Sequence, residues 1–368
     1  MARGPILSEK FQILQGDARE VLPRLAKNTA ERGRYRLAVT SPPYYGHRKY
    51  GSEPSELGQE KTPDEFIEEL AGVFKSCMDL LTDDGSLFIV IGDTRRRRHK
   101  LMVPHRLALR LVDLGYHFQE DIIWYKRNAI SQSSRQNLTQ AYEFVLVLSK
   151  SDTPAYDINP IRVQGNEALS GINSKPANDR LQFAPGKRDP EAIGRIAAVI
   201  HGSTPGTPFD ELPTTGEISW AHGYDPEKYC PTCYRKFRRH ATRKRIGGHE
   251  HYPIFAACNP RGKNPGNVWE ISTKAHHGNE HFAVFPEDLV SRIVKFATKE
   301  GDYVLDPFAG RGTTGIVSAC LKRGFTGIDL YPANVARARR NVQDSADSRL
   351  SKKVLDQIMP ERQLTGYF

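Results

Sequence analysis

The sequence predicts an α/β protein built on a doubly wound sheet whose chain starts in the middle of the sheet. Three observations carry this. Short apolar runs alternate with helix-spaced apolar patterns from residue 11 to about 150 and again after 265. A glycine loop, Ala309-Gly310-Arg311-Gly312-Thr313-Thr314-Gly315, separates an apolar strand from a helix near the C-terminal end. Only residues 330–368 follow the next strand and its closing Asp329, too few for the remaining strands of such a sheet. The N-terminal part must therefore supply them, as a permuted arrangement allows.

In chain order, strands are expected at residues 11–14, 37–40, 87–91, 122–125 and 144–148. Between the second and third, Phe66, Leu70, Val73, Phe74, Cys77 and Leu81 recur at spacings of three and four and mark one face of a helix. Thr62 before Pro63, with Glu65 three positions on, supplies its capping box and first-turn proline. The pattern dissolves from about 150 to 265, where Pro, Gly, Asn, Ser, Arg and Lys dominate. It returns with a strand at 303–305, the glycine loop, a helix over about 313–322 and a strand at 325–328. The predicted organisation is a split catalytic domain, 1–150 and 266–345, around an insertion at 151–265, with a polar tail at 346–368.

Composition sets the class. Hydrophobic residues make up 38% of the 368 and charged residues 26%, enough apolar material for a real core in a soluble protein. The net charge of +10 favours a polyanionic partner without proving one. No apolar run approaches the roughly 18 residues that a membrane helix needs, and Met1-Ala2-Arg3-Gly4-Pro5 leads into no apolar signal segment. With five cysteines, an odd number, reduced thiols in a cytoplasmic compartment are expected.

The glycine loop lets a ligand approach the backbone closely, and the helix behind it offers unpaired N–H groups. It departs from the dinucleotide fingerprint, because its Gly-x-Gly-Thr-Thr-Gly spacing is preceded by Asp306, Pro307 and Phe308. An acid at the strand end repels a pyrophosphate and suits an amino-bearing or cationic ligand. That points to S-adenosylmethionine, with Asp329 placed to accept from both ribose hydroxyls. Gly16-Asp17, after the first strand, then falls beside the cofactor, with Asp17 able to accept from an adenine amino group.

Thr40-Ser41-Pro42-Pro43-Tyr44 follows the second apolar strand. Two prolines stiffen this loop and remove two backbone donors, leaving carbonyls and the Ser41 hydroxyl as acceptors for an amino group. Tyr44 is available to stack on a planar ring.

These segments resemble the beta group of amino-methylating DNA methyltransferases, in which the catalytic motif precedes the cofactor motif. The matching residues are Gly16-Asp17, Thr40 to Tyr44, residues 85–93, Trp124-Tyr125-Lys126, residues 264–269, residues 285–289 and Asp306 to Thr314, within 11–150 and 263–342. The resemblance implies a permuted Rossmann-like methyltransferase sheet with an inserted target-recognition region. It implies cofactor contacts from Asp17, Thr40, Phe285, Pro286, Asp306, Pro307, Phe308, Gly310, Gly312, Thr313 and Asp329, and a base pocket of Ser41, Pro42, Pro43 and Tyr44. The expected reaction is methyl transfer to an exocyclic amine of double-stranded DNA after base flipping. Ser at the head of the tetrapeptide resembles the cytosine-N4 members more than the adenine members, and adenine N6 is the alternative. A non-catalytic DNA-binding protein on the same fold is the reading from another class. A cognate restriction endonuclease and the choice of monomer or dimer stay open.

The insertion carries Arg235, Lys236, Arg238, Arg239, Arg243, Lys244 and Arg245 with no acid among them. Of these, Arg235, Arg238, Arg239, Arg243, Lys244 and Arg245 are the candidate DNA contacts, against the alternative of a solvated face. Arg95, Arg96, Arg97, Arg98 and Lys100 offer the same two readings. Cys230 and Cys233 offer half of a zinc site, with Cys258 and one of His240, His249 or His251 to complete it, but this second half lacks a matching Cys-x-x-Cys or regular His spacing, so a metal is left open. Cys77 and Cys320 are expected in the core, Trp124 and Trp269 as packing or motif residues, and His276 and His277 in a loop. Trp220, in the insertion, is undecided between core and base stacking.

Overall fold

The computed structural model describes residues 10–46, 56–129, 136–163, 264–273 and 286–346. Contacts divide the chain into two compact units, residues 1–161 with 265–368 and residues 162–264. The first holds every element named below, and the second lies almost wholly outside the described residues.

The strands are β1 (Phe11–Gln15), β2 (Tyr35–Thr40), β3 (Leu81–Ile91), β4 (Arg95–Arg96), β5 (His99–Lys100), β6 (His117–Tyr125), β7 (Tyr142–Ser149), β8 (Val268–Glu270), β9 (Tyr303–Asp306) and β10 (Gly324–Asp329). The helices are α1 (Ala18–Ala26), α2 (Pro63–Met78), α3 (Val103–Asp113), α4 (Glu287–Ala297), α5 (Thr313–Cys320) and α6 (Pro332–Ala346). Eight strands form one sheet in the order β1-β10-β9-β2-β3-β7-β6-β8, and β4 and β5 form a separate hairpin. From β1 to β3 all neighbours are parallel; β7 runs antiparallel to β3 and β6, and β8 is parallel to β6. The late strands β9 and β10 sit between the early strands β1 and β2, so the N-terminal part completes the sheet, as the short C-terminal remainder requires.

Both faces of the sheet are covered, so its central strands are apolar almost continuously. Along β3, Leu87, Ile89 and Ile91 enter one core with α2 and α3, while Phe88 and Val90 enter the other with α4 and α6. Strand β7 divides in the same way, with Phe144, Leu146 and Leu148 on the first side and Val145 and Val147 on the second. The helix after β2 packs on the first face and the helix after β9 on the second. At the β9–β2 boundary the two connections therefore diverge, leaving a crevice beyond the strand ends, the usual ligand position in open α/β sheets.

Several boundaries differ from expectation for local reasons. Helix α2 ends at Met78, and Leu81, expected on its apolar face, instead opens β3 and pairs with Tyr35. The register of β2 against β3 then jumps from Tyr35↔Leu81 to Leu37↔Ser86, so a bulge absorbs Thr82 to Gly85 and β3 begins well before residue 87. Helix α5 stops at Cys320 rather than 322 because Lys322 turns left-handed at φ 62°, a helix-ending conformation. Cys77 and Cys320 are buried, as expected. No described helix is long and apolar enough to cross a membrane.

Candidate active site

The glycine loop is organised by the acid that ends β9. Asp306 is fully buried, and its Oδ1 accepts from Phe308 N at 3.0 Å, closing the turn, while Oδ2 accepts from Thr314 Oγ1 at 2.6 Å in the first turn of α5. Gly310 and Gly312 adopt φ of 52° and 86°, a backbone that a side chain disfavours. Gly312 caps α5 and passes so close to α6 that an added Cβ would lie 3.0 Å from Ala338 Cβ. Gly310 is the opposite case, because the space above it is open.

Asp329, at the end of β10, is fastened from three sides. Oδ2 accepts from Gly310 N at 2.9 Å, and Oδ1 accepts from Tyr331 N at 2.9 Å and Asn334 Nδ2 at 3.0 Å. Its main-chain oxygen accepts from Gly16 N, which ties the loop after β1 to the same place. Burial raises the Asp329 carboxyl above the usual range. Burial also pushes Asp306 up to about 6, against the pull of its hydroxyl and amide donors and with a contribution from the nearby Asp329 charge. Two neighbouring acids, Asp306 fully buried and Asp329 half-buried, make a place where a cation is welcome.

Asp17 caps α1 by accepting from Arg19 N, and its two oxygens also take the Arg19 guanidinium, with Nη2 at 2.6 Å. Burial alone would raise this carboxyl, but the Arg19 hydrogen bonds outweigh it and hold it low. It stands ionised beside Gly16, with one partner already on it.

The second loop leaves β2 at Thr40, whose buried Oγ1 donates to Asp306 Oδ1 at 2.6 Å. This bond joins the Ser41 loop to the glycine loop at the crevice. Pro42 is buried, while Ser41, Pro43 and Tyr44 are half-buried. The Tyr44 hydroxyl donates to Glu143 Oε2 at 2.7 Å on β7, and the other Glu143 oxygen pairs with Lys126 Nζ. Lys126 also lies 4.6 Å above the Trp124 ring. Gly92 leaves room for the Tyr44 ring, since a Cβ there would sit 2.9 Å from Tyr44 Cε2. One residue on, Tyr45 O accepts from Thr94 Oγ1 at 2.7 Å and the Tyr45 ring packs on Phe66, 5.5 Å between centroids.

The structure therefore brings together Thr40, Ser41, Pro42, Pro43, Tyr44, Asp306, Phe308, Gly310 and Asp329. Pro286 is buried at the start of α4, where its carbonyl accepts from Leu289 N and Val290 N. Phe285, the basic residues Arg235, Arg238, Arg239, Arg243, Lys244 and Arg245, the candidate zinc ligands Cys230, Cys233, Cys258, His240, His249 and His251, and Trp220, His276 and His277 lie outside the described residues. Among the described residues no group of His, Cys, Asp and Glu is arranged to hold a metal ion. Burial pushes the thiols of Cys77 and Cys320 up, so neither is an activated nucleophile. Trp124 and Trp269 are buried and donate to Ile271 O and Gly266 O, which makes them packing residues under β6 and β8. Sequence reasoning placed Gly92 only within the motif at residues 85–93 and assigned no role to Glu143 or Thr94, because their links to Tyr44 and Tyr45 join residues far apart in the chain.

The family model for DNA methylases of the N6/N4 type matches residues 35–340. The type II methyltransferase M.Cfr9I of Citrobacter freundii is 26% identical over 360 residues, covering 90% of this chain and 87% of that one. M.SfiI of Streptomyces fimbriatus is 27% identical over 384 residues, covering 87% and 88%. The solved structure of the PvuII DNA methyltransferase (cytosine-N4-specific) superposes with a TM-score of 0.55 at 17% identity, covering 95% of this chain and 93% of that one, a likeness of fold. The chain belongs to the N6/N4 DNA methylase family.

Proposed function

We propose that this DNA methylase transfers a methyl group from S-adenosylmethionine to the exocyclic N4 of cytosine in double-stranded DNA, with the target base turned out of the duplex. The Thr40–Asp306 hydrogen bond carries the reading, since it holds an amine-accepting loop against a glycine loop that suits a cationic nucleoside. The open space above Gly310, the α5 N-terminus behind it and the acid at Asp329 fit that cofactor. Asp329 would hold the ribose, Asp17 and Gly16 would flank the adenine, and Asp306 would set the charge around the amino-acid end. When bound, S-adenosylmethionine supplies an electrophilic methyl group on a sulfonium.

An exocyclic amine is a poor nucleophile because its lone pair is delocalised into the ring. The Ser41 hydroxyl and the Pro42 carbonyl can accept its hydrogens and favour a more tetrahedral nitrogen aimed at the crevice. The gain is chiefly orientation and charge stabilisation. Tyr44, steadied by Glu143, would lie against the flipped ring, and no thiol adduct is required. The basic residues Arg235, Arg238, Arg239, Arg243, Lys244 and Arg245 are proposed to meet the DNA backbone, within a region that reads the target sequence.

The cytosine assignment rests on Ser41, and nucleoside digestion with mass spectrometry tests it. DNA modified by the chain should yield N4-methylcytosine. Ser41→Ala and Tyr44→Ala should lose turnover while keeping affinity for S-adenosylhomocysteine. N6-methyladenine as the sole product would overturn the base and leave the amino-methyltransferase standing; C5-methylcytosine would overturn both, since that chemistry uses a cysteine nucleophile.

A further inference from the structure

Directly after Gly92, which abuts the Tyr44 ring, the chain makes a hairpin that the catalytic chemistry does not use. Strands β4 and β5 pair Arg95 with Lys100 and Arg96 with His99, leaving Arg97 and Arg98 as a two-residue turn. Both turn residues have positive φ, 48° and 77°, the backbone of a turn that ordinarily takes Asn-Gly. Residues Arg95 to His99 are all exposed, and among the described residues none of these four arginines pairs with a carboxylate. Lys100 is occupied differently, donating to Tyr142 Oη at 3.3 Å.

The root of the hairpin is tied down by hydrogen bonds. Asp93 is buried, and its carboxylate accepts from Thr94 N, Met102 N and Val103 N, closing the hairpin and capping α3. Leu101 N donates to Thr94 O across the same neck, and Thr94 Oγ1 donates to Tyr45 O in the catalytic loop. A solvated face has no need of arginines in a conformation unfavourable to them, nor of a buried acid fixing their base beside the target loop. Four like charges on one short turn repel each other until a polyanion meets them.

We propose that this hairpin is a DNA-binding element, in which Arg95, Arg96, Arg97 and Arg98 hold duplex phosphates beside the nucleotide turned out toward Ser41. This rests on the reading that the chain methylates duplex DNA. Because the hairpin and the catalytic loop share the Thr94–Tyr45 bond, gripping the backbone also registers the target against the pocket.

The test uses the full chain and a mixed-sequence DNA duplex, with S-adenosylhomocysteine present for the binding measurements and S-adenosylmethionine as methyl donor for turnover. Arg97→Asn with Arg98→Gly gives the turn its preferred residues, so the melting temperature should hold or rise. The slope of log DNA affinity against log salt should fall by about 0.9 for each lost phosphate contact, with cofactor-product affinity unchanged and KM for DNA raised more than kcat is lowered. Arg95→Gln with Arg96→Gln, which leaves the turn alone, should reduce the slope in the same way. A slope equal to wild type in both folded variants would overturn the hairpin assignment while wild-type methylation of DNA stands. Wild-type protein that binds no duplex and methylates no DNA would overturn the methyltransferase reading and the hairpin with it.

Discussion

The glycine loop is held largely by atoms near it in the chain, Phe308 N and Thr314 Oγ1 on Asp306 and Gly310 N on Asp329. The Ser41 loop is held by atoms far away: Asp306, Gly92, Thr94 and Glu143 come from β9, the residue after β3, the hairpin neck and β7. One loop is folded by its own sequence and the other by the sheet. Damage to the first, or to Asp306 which serves both, should appear in stability and cofactor affinity together, whereas damage to the supports that serve the second alone, Gly92, Thr94 and Glu143, should appear in turnover alone.

Asp306, where the loops meet, gives the largest expected effect. Asp306→Ala leaves the Thr40 and Thr314 hydroxyls and Phe308 N without their acceptor, at about 1–3 kcal/mol for each buried donor. The expected loss is at least about 3 kcal/mol, with cofactor binding lost as well. Asp306→Asn should behave in the reverse sense. Burial raises this carboxyl from 3.8 to about 6, so between those values the folded protein keeps a proton that the unfolded chain has released. Wild-type stability contributed by this group is therefore present below pH 4 and lost as pH rises through 6. At about 1.4 kcal/mol per unit, the Asn variant should gain up to about 3 kcal/mol at pH 8 and almost nothing at pH 4. Urea midpoints at the two pH values check this, and equal gains at both would remove the buried charge from the account. A cationic cofactor should favour ionised Asp306, so wild-type cofactor affinity should rise from pH 5 to pH 7 and stay flat in the Asn variant.

This contrast also explains what the sequence disclosed. Asp306, Gly310, Gly312 and Asp329 sit in one short segment whose glycine spacing and strand-ending acids announce the loop, and the β9–α5–β10 unit follows with small shifts of boundary. That the N-terminal part completes the sheet was legible because too little chain follows Asp329; the insertion of β9 and β10 between β1 and β2 was not, since strand order is set by pairing across the sheet. Helix α3 was not, since Leu109 and Val112 are exposed and blur its apolar face. The bulge at Thr82 to Gly85 hid the start of β3 among polar residues. Glu143 was hidden for a different reason: an acid in an apolar strand has no local sign that a tyrosine 99 residues earlier will reach it.

Gly92 gives the next largest effect and belongs wholly to the second loop. Gly92→Ala puts a methyl group 2.9 Å from Tyr44 Cε2, too close for the ring to keep its place. Displacing a positioning group by about 1 Å can cost on the order of 100-fold in rate. Turnover should fall by roughly that factor, with melting temperature and S-adenosylhomocysteine affinity close to wild type. Equal losses in cofactor affinity and turnover would mean that the two loops are not separable.

The smallest effect tests whether Glu143 acts through Tyr44 or for itself. Both groups are partly buried, and the bond from Tyr44 Oη to Glu143 Oε2 is assisted by the Lys126 charge on the other oxygen. Losing such a bond at a half-buried site should cost about 1 kcal/mol, or roughly fivefold in turnover. Tyr44→Phe removes the donor and keeps the ring; Glu143→Gln keeps an acceptor but loses the pairing with Lys126, and Glu143→Leu removes both. The expected order of turnover is wild type, then Glu143→Gln, then Tyr44→Phe and Glu143→Leu about equal. If Glu143 works only by steadying Tyr44, adding Glu143→Leu to Tyr44→Phe should cost almost nothing more, because the shared bond is already gone. Losses that multiply in the double variant would give Glu143 a part of its own, through its pairing with Lys126 or a contact with the DNA, and the Ser41 loop would then have a further member that its sequence does not contain.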